Sequence, residues 1–147
     1  EPFPRIVVVS RSLDLDPTSS MFTEAHEPPL VYTVATAPES KVAALAPVAE
    51  VVAAGEDSVD VTAMLADLGR RGVTVALTEG GPVLNGHFLA AGLVDELDLT
   101  TAPLLVGGDS DRVTAGAPIA TEAFDLAHLW EDDGFLLARY VRRGTRP

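Results

Sequence analysis

Short apolar segments rich in β-branched residues alternate along the chain with segments of helical periodicity. Apolar runs of this length, bounded by turn residues, are typical of buried strands. The sequence predicts such strands at 5–10, 30–34, 49–55, 73–78 and 94–103. Because strands that alternate with helices form a parallel sheet covered by those helices, this order predicts an α/β fold with a mostly parallel central sheet.

The helical segments between these strands have recognisable ends. The first begins at Pro38, which suits a first helical turn, and Pro47 limits it to about two turns. The second stops at Gly72, where a glycine can end a helix in the left-handed conformation. The third begins at Pro82 and stops at Gly92. These segments supply the helices that cover the predicted sheet.

The C-terminal part of the chain has a different pattern. Residues 104–124 resemble a loop, and the sequence after them predicts a β-hairpin around Asp133-Gly134, a strong two-residue turn signal. The predicted last strand is apolar at both alternating sets of positions, so both of its faces need cover. A second copy of the chain, related by a two-fold axis, can provide that cover, so we expect a homodimer through the C-terminal strands. The alternative is that the loop covers the second face within one chain.

Composition excludes several classes of protein. The net charge of −12, from 10 basic and 22 acidic residues, argues against binding to nucleic acid or to an anionic membrane surface. The chain has no cysteine, which excludes disulfides and thiolate metal sites, and its three histidines lack metal-ligand spacing. No apolar run is long enough to span a bilayer, and no secretory signal is recognisable, so a cytoplasmic location is the default expectation.

The sequence Glu79-Gly80-Gly81-Pro82 stands where the predicted strand 73–78 passes into a helix. At the carboxyl end of a strand in an open α/β sheet, a helix N-terminus offers unpaired N–H groups to an anionic ligand. Adjacent glycines would let a pyrophosphate approach the bare backbone. The alternative is a plain tight turn, because glycine is common between strands and helices. The pattern is neither G-x-G-x-x-G nor a Walker A loop.

The segment "LTEGGPVLNGHFLAAGLVDELDLTTAPLLVGG", residues 77–108, resembles the pyrimidine reductase family. This family comprises the C-terminal reductase domain of the bifunctional riboflavin-biosynthesis deaminase/reductase and is similar in fold to dihydrofolate reductase. The upstream "IVVVSRS" and the closing "DDGFLLARYVRR" also match, so the resemblance covers nearly the whole chain. It implies a three-layer α/β/α fold with a mostly parallel central sheet and an antiparallel C-terminal hairpin.

The resemblance also implies an activity and a set of site residues. The activity is the NADPH-dependent reduction of a ribosylamino-pyrimidine to the ribitylamino-pyrimidine, of the 5-amino-6-(5-phosphoribosylamino)uracil reductase type. Ser10 and Arg11 would meet the adenosine 2′-phosphate, Thr36 the adenosine, and Glu79 the substrate. The residues implied to line the phosphates and nicotinamide side of NADPH are Gly80, Gly81, Pro82, Val83 and Leu84. From the residues alone, a solvated surface charge is the common interpretation of an arginine such as Arg11, and Glu79 could be a carboxylate that favours the helix dipole.

The sequence departs from the family at its N-terminal side. The family's first strand, its substrate loop and its glycine-containing cofactor turn have no counterpart. We therefore expect residues 1–147 to form a single reductase-type domain that lacks its N-terminal portion. Two other functions stay open: a non-catalytic nucleotide-binding or dimer scaffold of the same fold, and a reductase of another small heterocycle or pterin.

Overall fold

The computed structural model describes residues 3–109, 112–116 and 121–144. It divides into two compact units, Glu1–Val75 (unit 1) and Ala76–Pro147 (unit 2). The elements of unit 1 are β1 (Val7–Val9), α1 (Ser20–Thr23), β2 (Leu30–Thr33), α2 (Glu39–Leu45), β3 (Glu50–Ala53) and α3 (Val61–Arg70). Those of unit 2 are α4 (Pro82–Ala90), β4 (Glu96–Thr101), β5 (Phe124–Asp132) and β6 (Phe135–Arg142). The predicted mixed α/β class is confirmed.

Unit 1 contains a three-stranded parallel sheet in the order β1-β2-β3. The central strand β2 is buried at every position, as a strand with neighbours on both edges and both faces should be. On one face of the sheet, Val31 packs in a buried cluster with four residues from the surrounding elements: Leu13, Phe22, Leu45 and Ala49. Burying an aliphatic or aromatic side chain of this size stabilises the fold by about 1.5–3 kcal/mol, so this cluster holds α1 and α2 to the sheet.

A polar network ties helix α3 to the same sheet. The buried Tyr32 donates its hydroxyl hydrogen to Asp67 Oδ2 at 2.7 Å, and Arg71 Nε donates to the same oxygen at 2.6 Å. Arg71 also pairs with Glu50 on β3 at 2.7 Å. Burial, together with the bond to Asp67, raises the pKa of Tyr32 to about 12, and the Tyr32 hydroxyl lowers the pKa of Asp67 to about 2. Tyr32 is therefore a protonated donor and Asp67 a charged acceptor at neutral pH.

The predicted helices are confirmed, and their ends have local causes. Asp60 caps α3 by accepting hydrogen bonds from the backbone N–H groups of Thr62 and Ala63, at 2.8 and 3.1 Å. Gly72 follows α3 with a φ of +87°, a left-handed conformation that suits glycine. The one-turn helix α1 lies just after a segment that reads as a turn-rich loop, and the sequence analysis did not predict it.

The prediction of a strand at 73–78 is wrong. These residues belong to no helix or strand, and no strand in the described part of the chain pairs with them. Val75 and Leu77 are 84% and 82% exposed, although their residue types favour strands. A strand needs a neighbouring strand for its backbone hydrogen bonds, which β propensity alone cannot supply. Across the described residues, the structure accordingly has two three-stranded sheets, one in each unit.

Unit 2 contains an antiparallel sheet in the order β4-β6-β5. The predicted hairpin is confirmed: Asp133 and Gly134 join β5 to β6 with φ values of +49° and +81°. Two consecutive positive φ values are the signature of the type I′ turn, whose twist matches that of the flanking strands. Gly134 N–H also donates to the Glu131 carboxylate at 2.7 Å.

One face of this antiparallel sheet is mostly apolar, and we call it the leucine face. Cross-strand register places on it Leu97, Leu99, Leu126, Leu129, Leu136, Ala138 and Tyr140, with the polar Thr101 and Glu131 beside Leu136. Leu126 and Leu129 are more than half exposed. The opposite face carries Trp130, together with an ion pair between Arg139 and Glu96. The prediction that β6 is apolar on both faces is therefore confirmed, and both faces of the sheet include exposed apolar side chains, such as Leu136 and Leu137.

Candidate functional site

Helix α4 begins with a backbone that no side chain caps within the described residues. Gly81 is its N-cap residue and Pro82 its first helical residue, as the sequence predicts. The backbone N–H groups of Val83 and Leu84 lie in the first turn, where a helix offers them no internal acceptor. Together with the helix dipole, these N–H groups form a local positive end in a chain of net charge −12. Such an end can accept the oxygens of a phosphate group.

The two glycines before this helix differ in what their positions demand. Gly80 has a φ of +96°, a conformation that other residues adopt only with strain. Gly81 has a φ of −72°, which any residue can adopt, and a Cβ atom there would have no atom within 4 Å from the described residues other than its two chain neighbours. The peptide bond between them is cis. The fold therefore requires glycine at position 80, whereas at position 81 glycine leaves open space beside the start of α4.

Residues 112–116 pack against the first turn of α4. Ala115 N–H donates to the Pro82 carbonyl at 2.9 Å. Gly116 has a φ of +75°, and a Cβ atom at this residue would lie 3.4 Å from the methyl carbons of Val83. Asn85 Nδ2 donates to the Val113 carbonyl at 3.0 Å. These contacts fix one side of the helix start and leave the Gly81 side open.

Two polar side chains that the sequence analysis missed contact this turn. Gly80 N–H donates to Thr78 Oγ1 at 3.3 Å, and the Thr78 hydroxyl lies 3.3 Å from Asn85 Oδ1. A signal for Asn85 existed, because asparagine is a poor residue inside a helix and is common where its side chain binds nearby backbone. Thr78 carried no such signal, since it ended a predicted strand.

Glu79 lies between these residues on an exposed part of the turn. Its carboxylate forms no hydrogen bond or ion pair with any residue that the structure describes. A carboxylate two residues before the N-cap is available to a ligand at the helix start. It can also interact with the positive end of the α4 dipole.

The predicted site residues of unit 1 lie at the carboxyl edge of its parallel sheet. Ser10 follows β1, and its N–H donates to the Tyr32 carbonyl at 2.9 Å. Its hydroxyl oxygen accepts from Leu13 N–H at 3.1 Å, which stabilises a loop where Leu13 has a φ of +51°. Thr36 follows β2 and donates its hydroxyl hydrogen to the Glu56 carbonyl at 3.1 Å. This is the edge of an α/β sheet where ligands bind.

Arg11 differs from the other basic residues of unit 1. The other four, Arg5, Lys41, Arg70 and Arg71, all form ion pairs with Asp or Glu. Arg11 is exposed and forms no ion pair with a described residue. Its guanidinium group is therefore available to an external anion, and its planar donors match a phosphate group.

The nine predicted site residues thus fall into two groups, each described within its own unit. Ser10, Arg11 and Thr36 lie at the sheet edge of unit 1. Residues 79–84 form one continuous turn and helix start in unit 2.

Among the described residues there is no group of three or more His, Cys, Asp or Glu that could hold a metal ion. No helix in the described ranges is long and apolar enough to cross a membrane.

Comparison with known proteins gives consistent results. The chain is 36% identical over 117 residues to the 2,5-diamino-6-ribosylamino-4(3H)-pyrimidinone 5′-phosphate reductase of Archaeoglobus fulgidus, covering 79% of this chain and 53% of that protein. It is 34% identical over 122 residues to the reductase of the same name from Methanothermobacter thermautotrophicus, covering 83% of this chain and 56% of that protein. The chain thus spans about half the length of these curated relatives.

A solved structure has the same architecture. A pyrimidine reductase-like protein from Corynebacterium diphtheriae superposes with a TM-score of 0.82 at 26% sequence identity, over 95% of this chain and 61% of that one. The family model described as the RibD C-terminal domain matches residues 2–137, which include both groups of candidate site residues. The chain therefore belongs to the RibD C-terminal domain family.

Proposed function

We propose that this chain carries the cofactor-binding part of an NADPH-dependent reductase, which converts a ribosylamino-pyrimidine 5′-phosphate to the ribitylamino compound in riboflavin biosynthesis. The observation that carries the proposal is the open backbone at Gly81, beside the uncapped start of α4. The names of the relatives, which are reductases of a ribosylamino-pyrimidinone phosphate, support the substrate class. A cytoplasmic location and a single reductase-type domain belong to the same proposal.

The residues at the start of α4 suit a pyrophosphate. The first-turn N–H groups of Val83 and Leu84 would donate to phosphate oxygens, and Gly81 would let those oxygens approach without a side chain in the way. Gly80 and Pro82 shape the turn that presents these groups. The nicotinamide cofactor, when bound, supplies the hydride for the reduction.

The sheet edge of unit 1 suits the adenosine end of the cofactor. Arg11 would form charge-assisted hydrogen bonds with a 2′-phosphate, a group that distinguishes NADPH from NADH. Ser10 would contribute a hydroxyl to the same phosphate, and Thr36 would contact the adenosine. We assign Glu79 to the substrate, where its free carboxylate would accept hydrogen bonds from hydroxyl or amino groups of the ribosylamino-pyrimidine.

An enzyme assay tests this proposal against its two alternatives. The protein is incubated with NADPH and the ribosylamino-pyrimidinone phosphate, the corresponding uracil, or a dihydropterin, and loss of NADPH absorbance is recorded. We expect oxidation of NADPH with a ribosylamino-pyrimidine and formation of its ribityl product. Binding of NADPH without oxidation would favour the scaffold, and turnover with the pterin alone would favour the other type of reductase. Either result would contradict the proposal.

We also propose that the protein is a homodimer through its C-terminal strands. The leucine face includes a cross-strand row of Leu99, Ala138 and Leu129, in which Leu129 lies on the edge strand β5 and is 55% exposed. Contiguous exposed apolar area of this kind commonly marks an interaction site. A two-fold copy would place leucine against leucine across the axis, which removes apolar surface from water in both subunits.

Sedimentation equilibrium at micromolar concentration tests the dimer. We expect a dimer mass for the wild-type protein and a monomer mass for Leu129→Glu, because a carboxylate on the leucine face would have to be desolvated in the interface. Leu105→Glu is the matched control, since Leu105 is fully exposed outside the sheet, and it should remain a dimer. A wild-type monomer at every concentration would contradict the proposal.

A further inference from the structure

A series of three hydrogen bonds runs from Gly80, in the turn before α4, to Val113. Gly80 N–H donates to Thr78 Oγ1 at 3.3 Å, the Thr78 hydroxyl reaches Asn85 Oδ1 at 3.3 Å, and Asn85 Nδ2 donates to the Val113 carbonyl at 3.0 Å. Each group donates to the next one in the series, from Gly80 through the side chains of Thr78 and Asn85 to the Val113 carbonyl. We call this series the Thr78–Asn85 relay.

The orientation of the Asn85 amide follows from its two partners. The Val113 carbonyl can only accept, so the NH₂ group of Asn85 must face it. The amide oxygen then faces Thr78, whose hydroxyl hydrogen is free to rotate towards it. With that hydrogen committed to Asn85, a lone pair of Thr78 Oγ1 accepts from Gly80. Each group in the relay thus makes the bond that its chemistry allows.

The relay acts on Gly80, whose backbone dihedral angles are less restricted by steric clashes than those of other residues. A glycine can take up many φ and ψ values, so Gly80 does not hold its φ of +96° through its own shape. A Cβ atom at Gly80 would lie 3.4 Å from Asn85 Nδ2. The Asn85 side chain therefore lies against the Gly80 backbone while it also anchors the relay to Val113.

We infer that Thr78 and Asn85 are positioning residues, which hold the Gly80–Gly81 backbone in the conformation that receives the cofactor phosphates. This inference rests on the proposed function of the turn. Neither side chain need touch the cofactor, because both act through the Gly80 backbone. A turn that is already ordered loses less conformational entropy when the ligand binds, so the relay should strengthen cofactor binding.

Isosteric substitutions separate positioning from packing. Thr78→Val removes the hydroxyl and keeps the shape, whereas Thr78→Ser keeps the hydroxyl. Asn85→Asp keeps the acceptor for Thr78 but places a carboxylate against the Val113 carbonyl. Thr62→Val on α3 is the matched control, since Thr62 is an exposed threonine in unit 1.

The dissociation constant of NADPH and the thermal midpoint are measured for each variant. We expect Thr78→Val and Asn85→Asp to raise the dissociation constant by about three- to tenfold, the usual effect of one lost hydrogen bond. Thr78→Ser and Thr62→Val should bind as the wild type does, and Thr78→Val should retain the wild-type thermal midpoint. Unchanged affinity in Thr78→Val, with or without a lower thermal midpoint, would overturn the inference.

Amide hydrogen exchange of the free protein provides a readout that needs no cofactor. The Gly80 amide should exchange faster in Thr78→Val than in the wild type, and Thr78→Ser should restore its protection. If exchange of the Gly80 amide responds in this way but the wild type binds no NADPH, the proposed function of the turn is wrong. The positioning role of Thr78 and Asn85 is then wrong as well, because it depends on that function. If exchange of the Gly80 amide does not respond although the wild type binds NADPH, the positioning role of the relay is wrong and the proposed function of the turn stands.

Discussion

Replacing Gly81 with valine is expected to abolish NADPH binding and to leave the fold in place. The φ of −72° and ψ of −177° at this residue lie in the extended region, which β-branched residues favour. A Cβ atom there would meet no described residue within 4 Å beyond its two chain neighbours, so the first carbon of the added side chain does not clash with the described chain. It would instead occupy the space beside the first-turn N–H groups of α4, where phosphate oxygens would bind. Titration with NADPH measures the loss, and circular dichroism measures the fold.

Two other glycines serve as controls for this substitution. Gly69, on α3, also has open space for a Cβ atom among the described residues outside its own helix backbone, so Gly69→Val should bind NADPH normally. Gly80→Ala should instead strain the turn, because a φ of +96° is costly for any other residue. A folded Gly81→Val protein that binds NADPH like the wild type would refute the phosphate site at this turn.

The protein is expected to bind NADPH more tightly than NADH, and Arg11→Ala is expected to remove most of that preference. Arg11 is exposed and has no ion-pair partner among the described residues, whereas the other basic residues of unit 1 form ion pairs with Asp or Glu. A charge-assisted hydrogen bond to the 2′-phosphate should contribute about 1.5–3 kcal/mol, which is roughly a 10- to 150-fold change in affinity.

Parallel titrations of both cofactors against the wild type and Arg11→Ala measure this effect. NADH, which lacks the 2′-phosphate, should bind both proteins about equally. Arg70→Ala is a suitable control, since Arg70 is an exposed arginine of unit 1 that is already paired with Asp67 at 3.0 Å. Equal affinity of the wild type for NADH and NADPH would rule out a 2′-phosphate site at Arg11.

Much of the local structure could be predicted because its causes lie within a few residues. Pro38 and Pro47 bracket α2, Gly72 follows α3, and Asp133-Gly134 forms the turn between β5 and β6. In each case a single residue restricts or extends the backbone conformation at its own position. The Gly-Gly-Pro start of α4 was predictable for the same reason.

Features that depend on distant partners could not be predicted in this way. Residues 73–78 have the composition of a strand, but strand formation depends on a neighbour that the local sequence does not specify. The bond from Asn85 to Val113 spans 28 positions, so no local pattern pairs these residues. The free state of Arg11 is likewise visible only after the partners of the other basic residues are known.

The exposed segment 73–78 also affects how the chain behaves at high concentration. Its sequence, Val-Thr-Val-Ala-Leu-Thr, has high β propensity and contains no charge, glycine or proline, which is the composition of amyloid-forming hexapeptides. Its backbone is not paired with any strand in the described chain, so copies could stack through it. Arg70 and Arg71 precede the segment and Glu79 follows it, and charged residues that flank an apolar strand-like segment act as gatekeepers against stacking, although both arginines also form ion pairs. Removal of these flanking charges should therefore lower the solubility of the chain.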